Sequence, residues 1–566
     1  MANFLRVNMS NGSVTAEPCP EHYNLLGGRG LTSQLIFEEV DPTTYPLGDG
    51  NKMVIAPGLL TGTTAPSSGR LSIGAKSPLT GGIKESNAGG TAARKLARLG
   101  IKAIILEGRA KVGEWFVLKV SSVGAELLPA GDLVGLGNYA TVDKLRTRFG
   151  EKVGLISIGP AGEKLMAAAS VAVTDPDGRP SRHCGRGGMG AVMGSKGLKA
   201  VVIDDAEAHE TLLDLVDPSG FNEIARRWSK TLSETRKGLT NFGTASLVKP
   251  ISAVGGLPTR NFSRGTFEGA DNINGEVLAE RAKARGGKTG HACSPGCVIR
   301  CSNVYHDQNG QYLTSGLEYE TIVLLGANCE IDDLDAIAEL DRLCDDYGLD
   351  TMEMGHTMAV AMEAGLLPFG DVNRVKELLG EIASGTVLGR ILGQGAAVTG
   401  RVFNVARVPV VKGQGMAAYD PRALKGTGIT YATSPMGADH TAGNCLPGRG
   451  GVDPNKREGQ VKVSRELQIM STVIDALGLC LFVGPLPDSM EMIAQLLSKA
   501  RGTEVTVADL LSLGQNILRT EIAFNRRAGL TSTDDRLPVF FRQEKLAPYE
   551  LVFDVSDEEL DEVLNF

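Results

Sequence analysis

Aromatic residues are scarce, at 5% of 566 positions, so any packed interior has to be built from aliphatic side chains. There is no surplus of positive charge. The formal net charge is −8 and no basic stripe runs along the chain, which removes the electrostatic footprint of a nucleic-acid binder. No stretch reaches the ~18 unbroken apolar residues of a membrane span; the nearest, residues 357–369, contains Glu363. The opening MANFLRVNMSNGSVTAEP lacks the apolar centre of an export signal. Nine cysteines in so long a chain do not describe a disulfide framework. The expectation is a cytoplasmic, reduced protein in which clustered cysteines mean metal.

What is plentiful is glycine, with 72 residues, almost twice the usual ~7%. Glycine placed within well-patterned sequence marks tight turns or close backbone approach to a ligand. Hydrophobic residues at 42% and charged ones at 22% are enough for a real core and several domains. Residues 1–205 read as short β-rich runs, such as KAIILEG, FVLKVSS and VVIDD. Beyond them, EVLAERAKA, DDLDAIAELDRLCDDYG, TMEMGHTMAVAMEAG, VKELLGEIA, SRELQIMSTVIDALG and MEMIAQLLSKA show helical spacing. A Gly- and Pro-rich break near 405–425 divides them. The predicted class is α+β, with a β-rich domain (1–205) followed by two mainly helical ones (206–412 and 413–566).

Three cysteines fall in nine residues, Cys293-Ser-Pro-Gly-Cys297-Val-Ile-Arg-Cys301. On an unbroken helix the outer two would stand about 12 Å apart, too far for one metal centre. Pro295-Gly296 breaks that helix and lets the loop curl. Such a loop suits an iron–sulfur cluster completed by a distant cysteine. Zinc is the rival, although zinc sites usually bring a second local pair and the other six cysteines are isolated. Spacing leaves the fourth ligand open.

Gly185-Arg-Gly-Gly-Met-Gly190 matches the dinucleotide fingerprint G-x-G-x-x-G, and Asp204 follows at a suitable distance. That fingerprint needs a strand leading into its first glycine, and the preceding TDPDGRPSRHC reads as a polar turn. A nicotinamide enzyme is therefore disfavoured. Residues 69–90 form a second glycine-rich region, and the arginines of the two loops suggest grips for a large anionic cofactor. Finally, Asp345-Asp-Tyr-Gly-Leu-Asp350 and Asp475-Ala-Leu-Gly-Leu-Cys480 share the pattern D-x-x-G-L-(D/C). Each copy also fits a plain glycine stop at a helix end.

These residues, taken in order, resemble the tungsten-containing aldehyde ferredoxin oxidoreductase family. The matching segments are residues 26–31, 68–70 with 77–81, 86–90, 185–196, the cysteine cluster, 318–321, 344–350, 420–422, 431–434 leading to 437–440, 475–480 and 534–538. The resemblance implies a tungsten (or molybdenum) bis-pterin held without a protein ligand to the metal. Asp345, Leu349 and Asp350 would hold one pterin, and Asp475 with Leu479 the other. Arg70 and Arg186 would face phosphates and pterins, beside Asn87, Ala88 and Gly89. The carbonyls of Asn87 and Gly187 would approach a bridging Mg2+.

The same resemblance makes Cys480 the fourth ligand, with Cys293, Cys297 and Cys301, of one iron–sulfur cluster of the 4Fe–4S or three-iron type. It assigns catalysis to Glu320, chosen over Glu318, and to His440. It implies oxidation of an aldehyde-level substrate to a carboxylate, with electrons leaving to ferredoxin or a small iron–sulfur subunit. A homodimer is compatible with it. Sibling enzymes acting on sugars or aromatic acyl thioesters, and a zinc-stabilised non-redox protein, are the alternatives. Two departures stand out: three residues separate the first two cysteines where the family pattern has two, and the familiar Arg-Gly-Ala-Cys-His reads Met436-Gly-Ala-Asp-His440.

Overall fold

A computed structural model describes residues 3–208 and 211–566. Its N-terminal part is built on two six-stranded sheets. The first runs, edge to edge, through Ser13–Pro18, Asn3–Asn8, Ile101–Glu107, Met53–Pro57, Leu71–Lys76 and Ile83–Ala88. The second runs through Arg182–Cys184, Val171–Val173, Gly154–Ser157, Leu198–Asp204, Phe116–Ser121 and Gly124–Pro129. Leu5, Ile104, Leu118, Ile156 and Val201 share one apolar core between the sheets. The opposite faces are covered too, one by helix Gly28–Glu39 over Phe4, Val54 and Ile105, the other by helix Asn138–Phe149 over Val117, Leu155 and Val202. Strands buried on both faces read as continuous aliphatic runs, which is why KAIILEG and VVIDD were visible in the sequence.

The edges of the sheets matter most for the site. Strand Ile83–Ala88 ends the first sheet, Arg182–Cys184 ends the second, and the two edge strands touch. The polar segment before Gly185 thus closes with a three-residue strand, where the sequence suggested a turn throughout. Among the described residues its one pairing is antiparallel to Val171–Val173, and Leu198–Asp204 lies three strands away, antiparallel to Gly154–Ser157. The parallel β-α-β unit that a dinucleotide fold requires is not formed here.

All six helical runs read from the sequence are helices: Gly275–Ala284, Leu334–Tyr347, Thr351–Glu363, Val372–Ser384, Gln460–Leu477 and Pro487–Arg501. Their apolar cores straddle residue 412. Tyr319, Ile322 and Met358 pack in one cluster with Tyr431, Phe541 and Val563, and Phe221 and Trp228 pack in another with Ile474 and Leu497.

Both D-x-x-G-L segments end helices on left-handed glycines, Gly348 (φ +71°) and Gly478 (φ +73°), a conformation that costs glycine little. Each aspartate is therefore fixed in a last helical turn. Gly58 packs on the second stop so closely that a Cβ there would lie 2.1 Å from the Gly478 backbone. Asp350 starts the next helix, its Oδ1 accepting the Met352 N–H at 2.9 Å, as an N-cap should.

Candidate functional site

Where the two sheet edges meet the helical part there is a cavity of about 340 Å³. Its walls include Arg70, Asn87, Ala88, Gly89, Arg186, Asp345, Leu349, Asp350, Glu320 and His440, with Cys293, Cys301 and Cys480. Gly187, Asp475, Leu479 and Cys297 do not line it. Asp475 reaches it through Asn87, whose amide donates to Asp475 at 3.4 Å. Gly187 reaches it through its neighbour Arg186, and its carbonyl accepts from Ser77 Oγ at 2.7 Å.

The cysteine loop is stitched to the Cys480 segment by backbone bonds. Ser67 donates to the Gly296 carbonyl at 3.0 Å and accepts from the Cys480 N–H at 2.9 Å. Gly90 donates to the Cys293 carbonyl at 2.8 Å, and a Cβ at Gly89 would stand 3.0 Å from Cys293 Sγ. Contact with Cys297, then burial, pushes the Cys293 thiol well up, and the same contact draws Cys297 down. Burial raises Cys301 and Cys480, each also within electrostatic reach of Cys293. Three of the four thiols in this poorly solvated pocket thus disfavour their own thiolates, a penalty that bound metal cations would remove.

The buried polar groups form chains that cross from sheet to helix. Arg70 Nε donates to Asn87 Oδ1 at 2.9 Å. Arg186 Nε stands 3.3 Å from Asp350 Oδ2, and its Nη1 donates to the Ala438 carbonyl at 2.7 Å. Asp345 Oδ1 lies 3.1 Å from His183 Nε2, whereas its buried Oδ2 has no hydrogen-bond partner. Asp475 sits 3.4 Å from Arg29 Nη1. Burial, reinforced by Glu85, raises the Asp475 carboxyl to about 8. A carboxylate oxygen with no donor in a closed site is costly and is suited to a ligand that brings N–H groups.

Glu320 and His440 meet directly, with His440 Nε2 3.1 Å from Glu320 Oε1. Tyr419 donates its hydroxyl to the same oxygen at 3.0 Å. Burial alone would raise the Glu320 carboxyl, but the neighbouring His440 cation holds it below the ordinary glutamate range. Burial opposes charge on His440, yet Glu320 and then Asp439, 3.7 Å from Nδ1, hold the imidazole above its usual value. Glu318 lines the same cavity but has other partners. Its Oε2 accepts from Thr244 at 2.7 Å, its Oε1 lies 4.0 Å from Arg182, and burial raises it.

Two family models account for nearly the whole chain. "Aldehyde ferredoxin oxidoreductase, N-terminal domain" matches residues 4–205, and "Aldehyde ferredoxin oxidoreductase, domains 2 & 3" matches residues 221–565. The chain belongs to the aldehyde ferredoxin oxidoreductase family. It is 35% identical to the tungsten-containing aldehyde ferredoxin oxidoreductases of Pyrococcus furiosus and Thermococcus kodakarensis, over 96% of this chain and 91% of each relative. It is 27% identical to the WOR-like subunit of an aliphatic sulfonate oxidoreductase of Pyrococcus furiosus, over 75% of this chain and 72% of that one. Among solved structures, the active site complex BamBC of benzoyl coenzyme A reductase, bound to 1,5-dienoyl-CoA, superposes with a TM-score of 0.81. It covers 99% of this chain and 93% of the other at 20% identity.

The aldehyde ferredoxin oxidoreductase signature locates several cavity residues, but four of their partners carried no sequence signal as partners. His183 meets Asp345. Arg29 is gripped by Glu521 through Nε–Oε1 at 2.8 Å and Nη2–Oε2 at 2.7 Å. Tyr419 bonds Glu320, and Lys84 pairs with Asp439 at 2.8 Å, both nearly fully buried. Arg29 lay inside a recognised glycine-rich segment; the rest are brought together only by folding. The Lys84 pair also gives a physical reason for the departure at Asp439, since the acid neutralises a lysine of the edge strand Ile83–Ala88. Among the described residues no helix is long and apolar enough to cross a membrane.

Proposed function

We propose that this chain is a tungsten (or molybdenum) bis-pterin, iron–sulfur oxidoreductase working in a reducing cytoplasm. It oxidises an aldehyde-level substrate and passes the electrons singly to a ferredoxin or a small iron–sulfur subunit. The reaction is R-CHO + H2O → R-COO⁻ + 3H⁺ + 2e⁻. The observation that carries this reading is the Glu320–His440 pair on the wall of the cavity that also holds Asp345 and three of the four cysteines. All nine cysteines are unpaired, in keeping with a reducing compartment.

The residues present fit the group. The free Oδ2 of Asp345 matches the paired N–H donors of a pterin edge, with Leu349 and Asp350 alongside; Asp475 and Leu479 serve the second pterin. Arg70 and Arg186 would face its phosphates, the carbonyls of Asn87 and Gly187 would approach Mg2+, and Cys293, Cys297, Cys301 and Cys480 would hold a 4Fe–4S cluster. In this reading the β-rich unit (1–205) would grip the cofactor from one side and the helical units (206–412 and 413–566), which share their cores, from the other. When bound, the metal–pterin unit would supply the two-electron acceptor.

The protein's own contribution is proton handling. The imidazolium of His440 donates to the substrate carbonyl oxygen, which makes its carbon more electrophilic. The released Glu320 carboxylate takes a proton from the attacking water, general acid–base work of the ordinary kind. Tyr419 keeps Glu320 aimed while His440 is engaged.

The test is metal analysis and EPR on anaerobically purified protein, followed by assay against aldehydes, aldoses, acyl thioesters and sulfonates. About four iron atoms with one tungsten or molybdenum per chain, and turnover of aldehydes, is the expected result. Zinc without iron would remove the redox reading, and turnover of another class alone would replace the substrate.

A further inference from the structure

A second group of donors lies on the far side of the cysteine loop. Asp175 follows strand Val171–Val173 in a tight turn, its Oδ1 accepting the N–H groups of Asp177 at 2.9 Å and Arg179 at 3.0 Å. Its Oδ2 accepts from Ser181 Oγ at 3.1 Å. His291 closes strand Lys288–His291, two residues before Cys293, and its side chain is only 5% exposed. Its Nε2 is aimed at the turn, 3.5 Å from Asp175 Oδ2 and 3.9 Å from Asp177 Oδ2, and has no hydrogen-bond partner. One donor atom from each of the three residues lies within 4.8 Å of the other two.

These separations decide between two readings. A histidine simply bonded to a carboxylate closes to about 2.7–3.2 Å. Ligands held about 2.1 Å from a shared ion stand roughly 3.0–3.4 Å apart at adjacent positions and about 4.2 Å apart across it. The observed 3.5 and 3.9 Å are longer than such a bond and fall within the span of ligands around a shared ion. One imidazole with two carboxylates favours a divalent first-row ion over Mg2+ or Ca2+, which prefer oxygen alone. Asp177 is 39% exposed, which leaves an entry path and room for water ligands. Arg179 Nη1 donates to the same Asp177 Oδ2 at 3.3 Å, so an ion would share that oxygen with it or displace it, and its guanidinium lies 3.9 Å over the ring of Tyr312.

We infer that Asp175, Asp177 and His291 form a separate mononuclear metal site for a divalent first-row ion of the Zn2+ or Mn2+ type. The ion clamps the turn at residues 174–179 to the strand that leads into the cysteine loop. The backbone already joins these segments, since Thr91 donates to the Thr174 carbonyl at 2.9 Å beside the Gly90–Cys293 bond. The site stands whether or not the proposed reaction is correct.

The experiment uses the full chain, anaerobically purified, washed with EDTA, analysed for metals and then titrated with Mn2+ while EPR follows the free ion. Either one Zn2+ or Mn2+ per chain retained through the wash, or uptake of one Mn2+ that Zn2+ displaces, is expected. Asp177→Asn, on the half-exposed turn, should weaken binding about tenfold or more, and His291→Ala should abolish it. Absence of stoichiometric ion in the wild type, or equal binding by wild type and Asp177→Asn, overturns the site. Tungsten and iron contents, read in the same analysis, report separately on the proposed cofactors.

Discussion

His440 Nε2 lies 3.1 Å from Glu320 Oε1 while its Nδ1 faces Asp439 at 3.7 Å, so the one imidazole of the cavity wall nearest Tyr419 sits between two acids. The arrangement fixes the direction of charge on each partner and gives the first predictions.

Replacing the Glu320 carboxylate by an amide keeps the shape and removes the proton acceptor. Glu320→Gln is expected to lower kcat by about 10²–10⁴ with tungsten and iron contents unchanged. Loss of metal together with rate would assign Glu320 to cofactor binding instead.

The pH dependence follows from the two shifts. Glu320 titrates below its ordinary value, so its carboxylate is lost only as pH falls through that lowered value. His440 titrates above its ordinary value, so the imidazolium is lost as pH rises through that raised value. kcat/KM should therefore hold a plateau between them, extended on both sides relative to free glutamate and histidine. Asp439→Asn removes one of the two anions at His440 and should pull the alkaline limb to lower pH. An unmoved alkaline limb would exclude His440 as the acid.

The same substitution has a structural cost. Lys84 and Asp439 are buried together, and stripping one partner from such a pair typically costs about 3–5 kcal/mol. Thermal unfolding of Asp439→Asn should show this loss, and Lys84→Met added to it should recover a large part. If the double variant is no more stable than the single one, the two residues are not a pair in solution.

Cysteine substitutions separate cluster ligands from packing cysteines. Cys480→Ser should lower the iron content and alter the EPR signal, leaving tungsten in place. Cys329→Ser, buried in the helical core where its thiol is raised to about 12, should leave iron unchanged. Equal iron in both variants would take Cys480 out of the ligand set.

Some of this was written in local sequence. The two-faced aliphatic strands, the helical runs and the glycine stops of both D-x-x-G-L segments are short-range patterns, set by side-chain periodicity and by which residues tolerate positive φ. The cysteine loop was legible for the same reason, because three cysteines within nine residues are visible without knowing their partners, whereas His440 was singled out only by the resemblance to the family.

What only the tertiary structure decided is which distant groups meet. The strand before Gly185 was hidden because three residues at a sheet edge are too few to show a periodicity; its pairing with Val171–Val173 makes it a strand. Lys84 with Asp439, Arg29 with Glu521, and His291 with Asp175 are matched across long separations, and no local rule names a partner. Burial finishes the selection, since a charge removed from water keeps its form only where folding has set an opposite charge, a donor or a metal beside it.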